Sequence, residues 1–155
     1  ILLTLNPTIR SAGCHMQVDV ADTLQMDSFP GPLGQVLNNL INNAIVHGFQ
    51  QQASGTISIV ARALGDAQLT LLVQDDGCGI PEADMVHVFE PFFTTRMGHG
   101  GSGLGLHIVH NLVTGVLGGT IEAQSEVGRG ALFTLTLPMS APILDSTHQD
   151  SLPTV

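Results

Sequence analysis

The chain has 155 residues, 43% of them hydrophobic, with a formal net charge of −9 and a mean hydropathy of +0.31. That length fits one domain able to bury about two-thirds of the surface its unfolded chain exposes. No apolar run is long enough to cross a bilayer, and the acidic balance excludes nucleic acid as a partner.

The basic residues are Arg10, Arg62, Arg96 and Arg129, with no lysine. This excludes both a lysine-bearing phosphate loop and the strand lysine of eukaryotic-type protein kinases. Any polyphosphate must therefore be held by backbone amides, a metal ion and at most an arginine or two. Cys14 and Cys78 lie far apart without metal-type spacing, so a reducing compartment is the expectation and a disulfide framework is not. The opening "ILLTLNPTIR" lacks both an initiator Met and a basic region ahead of its apolar residues. It reads as the start of a fragment of a longer protein rather than as a signal peptide.

In chain order, residues 15–27 alternate in pieces and predict one or two strands. "FPGPLG" at 29–34 reads as a turn, and a helix is predicted from Leu33 to about His47. Residues 55–64 and 67–76 alternate on either side of "GD" and predict a hairpin. Residues 82–88 suggest a short helix and 90–102 a Gly- and Thr-rich loop. Gly103–Leu117 predicts a second long helix. Residues 119–126 and 131–138 form a second predicted hairpin around "VGRG". Residues 1–139 are read as one domain and 140–155 as a loose polar tail. Paired strands with intercalated helices predict an α+β fold. It is a two-layer sandwich with a mixed, mostly antiparallel sheet covered on one face by helices.

Three stretches carry chemistry. On the helical wheel of "QVLNNLINNAIVHG" (35–48), Val36, Leu37, Leu40, Ile41, Ala44 and Ile45 make the core face. Asn39, Asn43 and His47 line one margin of it, and Asn38 and Asn42 fall on the solvent side. The row is either a plain polar face or a ledge for metal and phosphate, since a neutral amide oxygen can ligate Mg²⁺ without repelling phosphate. "VQDDGCGIP" (73–81) ends a strand on Asp75 before Gly77 and Gly79. It is either an Asp-Gly turn or a base pocket, in which a carboxylate accepts from adenine's amine and not from guanine's carbonyl. "MGHGGSGLGLHIVH" (97–110) feeds a helix start whose free N–H groups and dipole favour an anion, with Arg96 beside it.

Together "LNNLINNA" (37–44), "DDGCGIP" (75–81), "FEPFFTTR" (89–96) and "GGSGLGLHIV" (100–109) resemble, in order and spacing, the N, G1, F and G2 boxes of the GHKL ATPases. Within that superfamily they are similar to the ATP-binding catalytic domain of bacterial sensor histidine kinases, from about Pro30 to Pro138. The resemblance implies the GHKL (Bergerat) fold, ATP and Mg²⁺. It implies Asn43 as the metal ligand and Asn39 one turn before it, near the phosphates. Asp75 would be the adenine-binding aspartate, with Gly77 and Gly79 shaping the base pocket. Ile80, Leu104 and Leu106 would be apolar walls, or plain core. Phe89, Phe92 and Phe93 would anchor a lid, with Thr94 and Thr95 at the nucleotide and Arg96 reaching the terminal phosphate. Gly100, Gly101, Gly103 and Gly105 would open the phosphate-facing helix. His47 would either trim the nucleotide site or pack near Gly48.

Hydrolytic members of the superfamily carry a glutamate base four residues before the metal-binding Asn. Here Asn39 stands there, and an amide takes no proton at neutral pH. Phosphoryl transfer, which needs mostly positioning and charge neutralisation, is favoured over hydrolysis. A hydrolytic ATPase and a non-catalytic nucleotide-binding module stay as alternatives.

None of the seven histidines is followed by the acidic residue and proline that mark the family's phosphoacceptor. The acceptor is expected on an upstream dimerisation domain, in a homodimeric kinase serving a response regulator. A cytoplasmic domain is expected, with the full-length protein anchored in the inner membrane or not. His107 and His110, at i, i+3, read as exposed helix surface rather than half of a zinc site.

Overall fold

A computed structural model describes residues 13–50, 54–94 and 102–142. β1 (His15–Val20) leads through α1 (Pro30–Asn43) to β2 (Thr56–Leu64). β2 and β1 are parallel, as a strand–helix–strand crossover allows. β2 turns back into β3 (Gln68–Asp75), antiparallel, with Ile57 opposite Asp75. The short α2 (Glu82–Met85) and then α3 (Gly105–Asn111) precede the hairpin of β4 (Thr120–Ser125) and β5 (Ala131–Pro138). The sheet order is β1-β2-β3-β5-β4. β5 thus inserts between β3 and β4, and the sheet is mixed and mostly antiparallel, as expected.

Alternation explains the two layers. In β2, β3 and β5 every second residue is buried: Ile57, Ile59 and Ala61; Leu69, Leu71 and Val73; Phe133, Leu135 and Leu137. Against them pack Val36, Leu37, Leu40, Ile41 and Ala44 of α1, and Val109, Val113 and Leu117 from α3 and its continuation. The wheel's core face is therefore the packed one, except that Ile45 is only half-buried.

Four boundaries differ from expectation. The helix starts at Pro30, not Leu33, with proline in its first turn. Proline's φ suits that turn, and its missing N–H would have had no acceptor there. Both long helices close on wider turns, Ala44–Gly48 and Leu112–Val116, where Phe49 N–H reaches the Ala44 carbonyl and Leu117 N–H the Leu112 carbonyl. The first strand stops at Val20, and Asp27 instead forms an isolated bridge to Ser140. The Ala141 N–H donates to the Asp27 carbonyl at 2.8 Å, so the chain stays bonded just past β5.

Candidate functional site

The second half of α1 and the wide turn that ends it present Asn39, Asn42, Asn43, Val46 and His47 to one cavity. Ile80, from the loop after β3, Val88, Phe93 and Thr94 form further walls, and Ser102, Gly103, Gly105 and Leu106 close it at the start of α3. The cavity volume is about 210 Å³, several times the roughly 30 Å³ share of one water molecule. Its lining combines apolar side chains with amides, an imidazole and hydroxyls. No carboxylate is among the described lining residues.

The wheel's margin of Asn39, Asn43 and His47 thus faces one space. Asn39 is notable because its Nδ2 is buried and has no hydrogen-bond acceptor among the described residues. Its Oδ1 lies 4.0 Å from where a Cβ on Gly105 would stand, so α1 and α3 nearly touch across the cavity at this level. Asn42, expected on the solvent side, lines the cavity and donates to Asn38 Oδ1 at 3.2 Å.

Asp75, Gly77 and Gly79 are not among the lining residues; they form a buttress behind the His47–Gly48 turn. Asp75 is 6% exposed. Its Oδ1 accepts from Gly77 N–H at 2.9 Å and from Ala131 N–H at 3.3 Å, while Oδ2 has no donor among the described residues. Burial pushes its carboxyl above the ordinary aspartate range, partly opposed by those two backbone donors. Gly77 passes so close to Gly48 that a Cβ on it would sit 2.5 Å from the Gly48 carbonyl oxygen; only glycine permits that approach. The Cys78 N–H donates to that same carbonyl at 2.8 Å. Gly79 rests on Glu126 of the β4–β5 turn, and Ile80 N–H donates to Ser125 Oγ at 2.8 Å.

Phe92 and Leu104 also do not line the cavity. Phe92, 66% exposed, instead donates its N–H to the Gly103 carbonyl at 2.8 Å. Gly103 has φ +67, and a Cβ there would meet the Phe92 carbonyl carbon at 2.5 Å. Thr95, Arg96, Gly100 and Gly101 lie outside the described residues.

Val46, Val88 and Ser102 were not anticipated. Val46 lies on the wide turn that ends α1, and Val88 in a segment whose only local signal was a short helix. His107 and His110 are half-buried rather than exposed: His107 Nδ1 lies 3.0 Å from the Phe89 carbonyl oxygen, and His110 stacks tilted on the Phe89 ring. No cluster of three or more His, Cys, Asp or Glu able to hold a metal occurs among the described residues.

The profile shared by histidine kinase-, DNA gyrase B- and HSP90-like ATPases matches residues 30–141. The sensor histidine kinase ZraS of Klebsiella oxytoca is 38% identical over 138 residues, which are 89% of this chain and 26% of ZraS. The autoinducer 2 sensor kinase/phosphatase LuxQ of Vibrio cholerae is 41% identical over 128 residues, 78% of this chain and 14% of LuxQ. The chain spans about a quarter of the one relative and about a seventh of the other. The catalytic domain of histidine kinase ThkA superposes with a TM-score of 0.74 at 26% identity, over 89% of this chain and 88% of that domain. Full-length ShkA, solved in complex with AMPPNP, gives a TM-score of 0.70 at 26% identity, over 90% of this chain and 28% of ShkA.

Proposed function

The chain belongs to the histidine kinase-, DNA gyrase B- and HSP90-like ATPases, and on that premise we propose that it binds Mg·ATP and presents the γ-phosphoryl group to a histidine on a separate dimerisation domain. That domain in turn serves a response regulator, in a homodimeric sensor kinase whose catalytic domain faces the cytoplasm.

The observation that carries this reading is that Asn39, Asn43 and His47 line one cavity with no carboxylate among its described lining residues, while the buried Asn39 Nδ2 lacks an acceptor among the described residues. A phosphate oxygen supplies the missing acceptor, removing a desolvation cost of about 1–3 kcal/mol. The backbone of Gly103 and Gly105 leaves that end of the cavity free of side chains. Asp75 does not line the cavity, and its bond to the exocyclic amine of adenine is what the family resemblance implies for it, with Gly77 and Ala131 holding Oδ1 in place. Val46, Ile80, Val88, Phe93 and Leu106 give the base and ribose an apolar bed.

Both described arginines are engaged elsewhere, Arg62 with Asp19 and Arg129 with Glu126. The described part of the site therefore adds no guanidinium charge against a triphosphate. Mg²⁺ supplies charge neutralisation when bound, and Asn43 Oδ1, beside Asn39, is the neutral oxygen donor that suits a hard cation held mostly by phosphates. No Asp or Glu among the described lining residues stands ready to deprotonate water, which favours transfer to a histidine over hydrolysis.

The test has two arms. Titration with ATP should show tight binding only with Mg²⁺ present; equal affinity with and without it would count against the metal assignment. Supplied with a dimerisation domain, the chain should transfer ³²P from [γ-³²P]ATP to histidine. Steady phosphate release without transfer would instead assign a hydrolytic ATPase, and binding without either activity a non-catalytic module.

A further inference from the structure

One helix builds one wall of the cavity and also props up another. α3 contributes Gly105 and Leu106 directly. One residue further on, His107 turns away from the cavity and bonds to the segment that carries Val88, Phe93 and Thr94. A carbonyl oxygen only accepts, so the 3.0 Å contact between His107 Nδ1 and the Phe89 carbonyl requires a proton on Nδ1. Asn111 Nδ2 lies 3.0 Å from His107 Nε2 and donates to it, which completes the neutral ring's two bonds and selects its tautomer. His110 stacks on the Phe89 ring with centroids 5.5 Å apart.

The propped segment has little structure of its own. α2 ends at Met85, and beyond it the chain runs in single turns, with His87 N–H on the Asp84 carbonyl and Glu90 N–H on the His87 carbonyl. Its placement therefore depends on attachments, and three of them lead to α3 or its entrance: His107 and His110 to Phe89, and Gly103 to Phe92.

We propose that His107 is a positioning residue, which by holding the Phe89 carbonyl sets where Phe93 and Thr94 stand in the nucleotide cavity. The inference rests on the nucleotide reading given above. His107 does not touch the ligand; it acts through the wall.

The experiment compares ADP affinity of the wild-type chain, His107→Ala and His107→Asn, with thermal midpoints measured alongside. Asparagine places Nδ2 close to where His107 holds Nδ1. His107→Ala should bind ADP about five- to tenfold more weakly, the size of one lost hydrogen bond, and His107→Asn should recover most of that loss. A purely structural histidine would lower the thermal midpoint and leave the affinity of the folded protein unchanged, which overturns the proposal. Should His107→Ala fail to fold, ¹⁵N–¹H spectra of the wild type decide: the Nδ1–H tautomer supports the proposal and the Nε2–H tautomer overturns it. A wild-type chain without ADP affinity overturns the nucleotide reading itself and this inference with it, whereas wild-type binding matched by His107→Ala overturns this inference alone.

Discussion

At the scale of single residues, Asp75 has a structural role, and in the function proposed above it also recognises adenine. Its Oδ1 joins the loop after β3 to the first residue of β5, and burial raises its pKa from an ordinary 3.8. A raised pKa in the folded state means the fold binds the proton more tightly than the unfolded chain does. The stability contribution is therefore complete below the unfolded pKa and is lost as pH rises through the folded one. Asp75→Asn has no such titration. Urea unfolding at pH 7, 5.5 and 4 should accordingly show the wild type gaining on the variant as pH falls; a constant difference would refute the linkage. The same variant should lose more than tenfold in adenine nucleotide affinity, about 1.4 kcal/mol or more. Asp75 was legible as a candidate because a strand ends there before two glycines. Its burial, and its place behind the His47–Gly48 turn rather than in the cavity wall, were not legible. They depend on distant partners, Gly48 on the turn after α1 and Ala131 of β5, 56 residues away in sequence.

At the scale of elements, periodicity identified both long helices and both hairpins, because each reflects contacts between near neighbours. The helix face with Asn39, Asn43 and His47 was read correctly because those residues recur every four positions along one edge of a buried stripe. Asn42, on the solvent side of the wheel, also lines the cavity, since it stands only about 60° from Asn39 and beside Asn43. The junction of Phe92 and Gly103 is an element-level device: it ties the F motif to the G2 motif. Gly103→Ala would force a Cβ into the Phe92 carbonyl carbon at a φ that side chains rarely adopt. The substitution should cost at least about 1 kcal/mol, seen as a thermal midpoint lowered by about 2–4 °C per kcal/mol. It should also weaken nucleotide binding. An unchanged midpoint would show that the junction is not formed in solution. His107 and His110, read as surface, turned out to hold Phe89, and no spacing rule links a helix to a turn 18 residues before it.

At the scale of the whole molecule, the net charge of −9 and a cavity rimmed by neutral amides set the electrostatics together. Without Mg²⁺, ATP should bind more weakly than ADP, since the extra phosphate adds charge that no cation among the described lining residues offsets. Raising salt toward 0.15 M, where screening shortens to about 8 Å, should narrow that gap. Isothermal titration at two ionic strengths checks this, and a gap that widens with salt would contradict it. Composition alone decided that the chain is acidic and lysine-free, and hence that any polyphosphate must be met by backbone amides, a metal ion and at most an arginine or two. Local pattern decided which segments are helices and hairpins, because such patterns need only neighbours along the chain. The insertion of β5 between β3 and β4, the parallel pairing of β1 with β2, the buttress behind Asp75 and the prop from His107 were decided only when distant segments packed. Burial and hydrogen-bond satisfaction belong to the folded whole, and no local stretch specifies them.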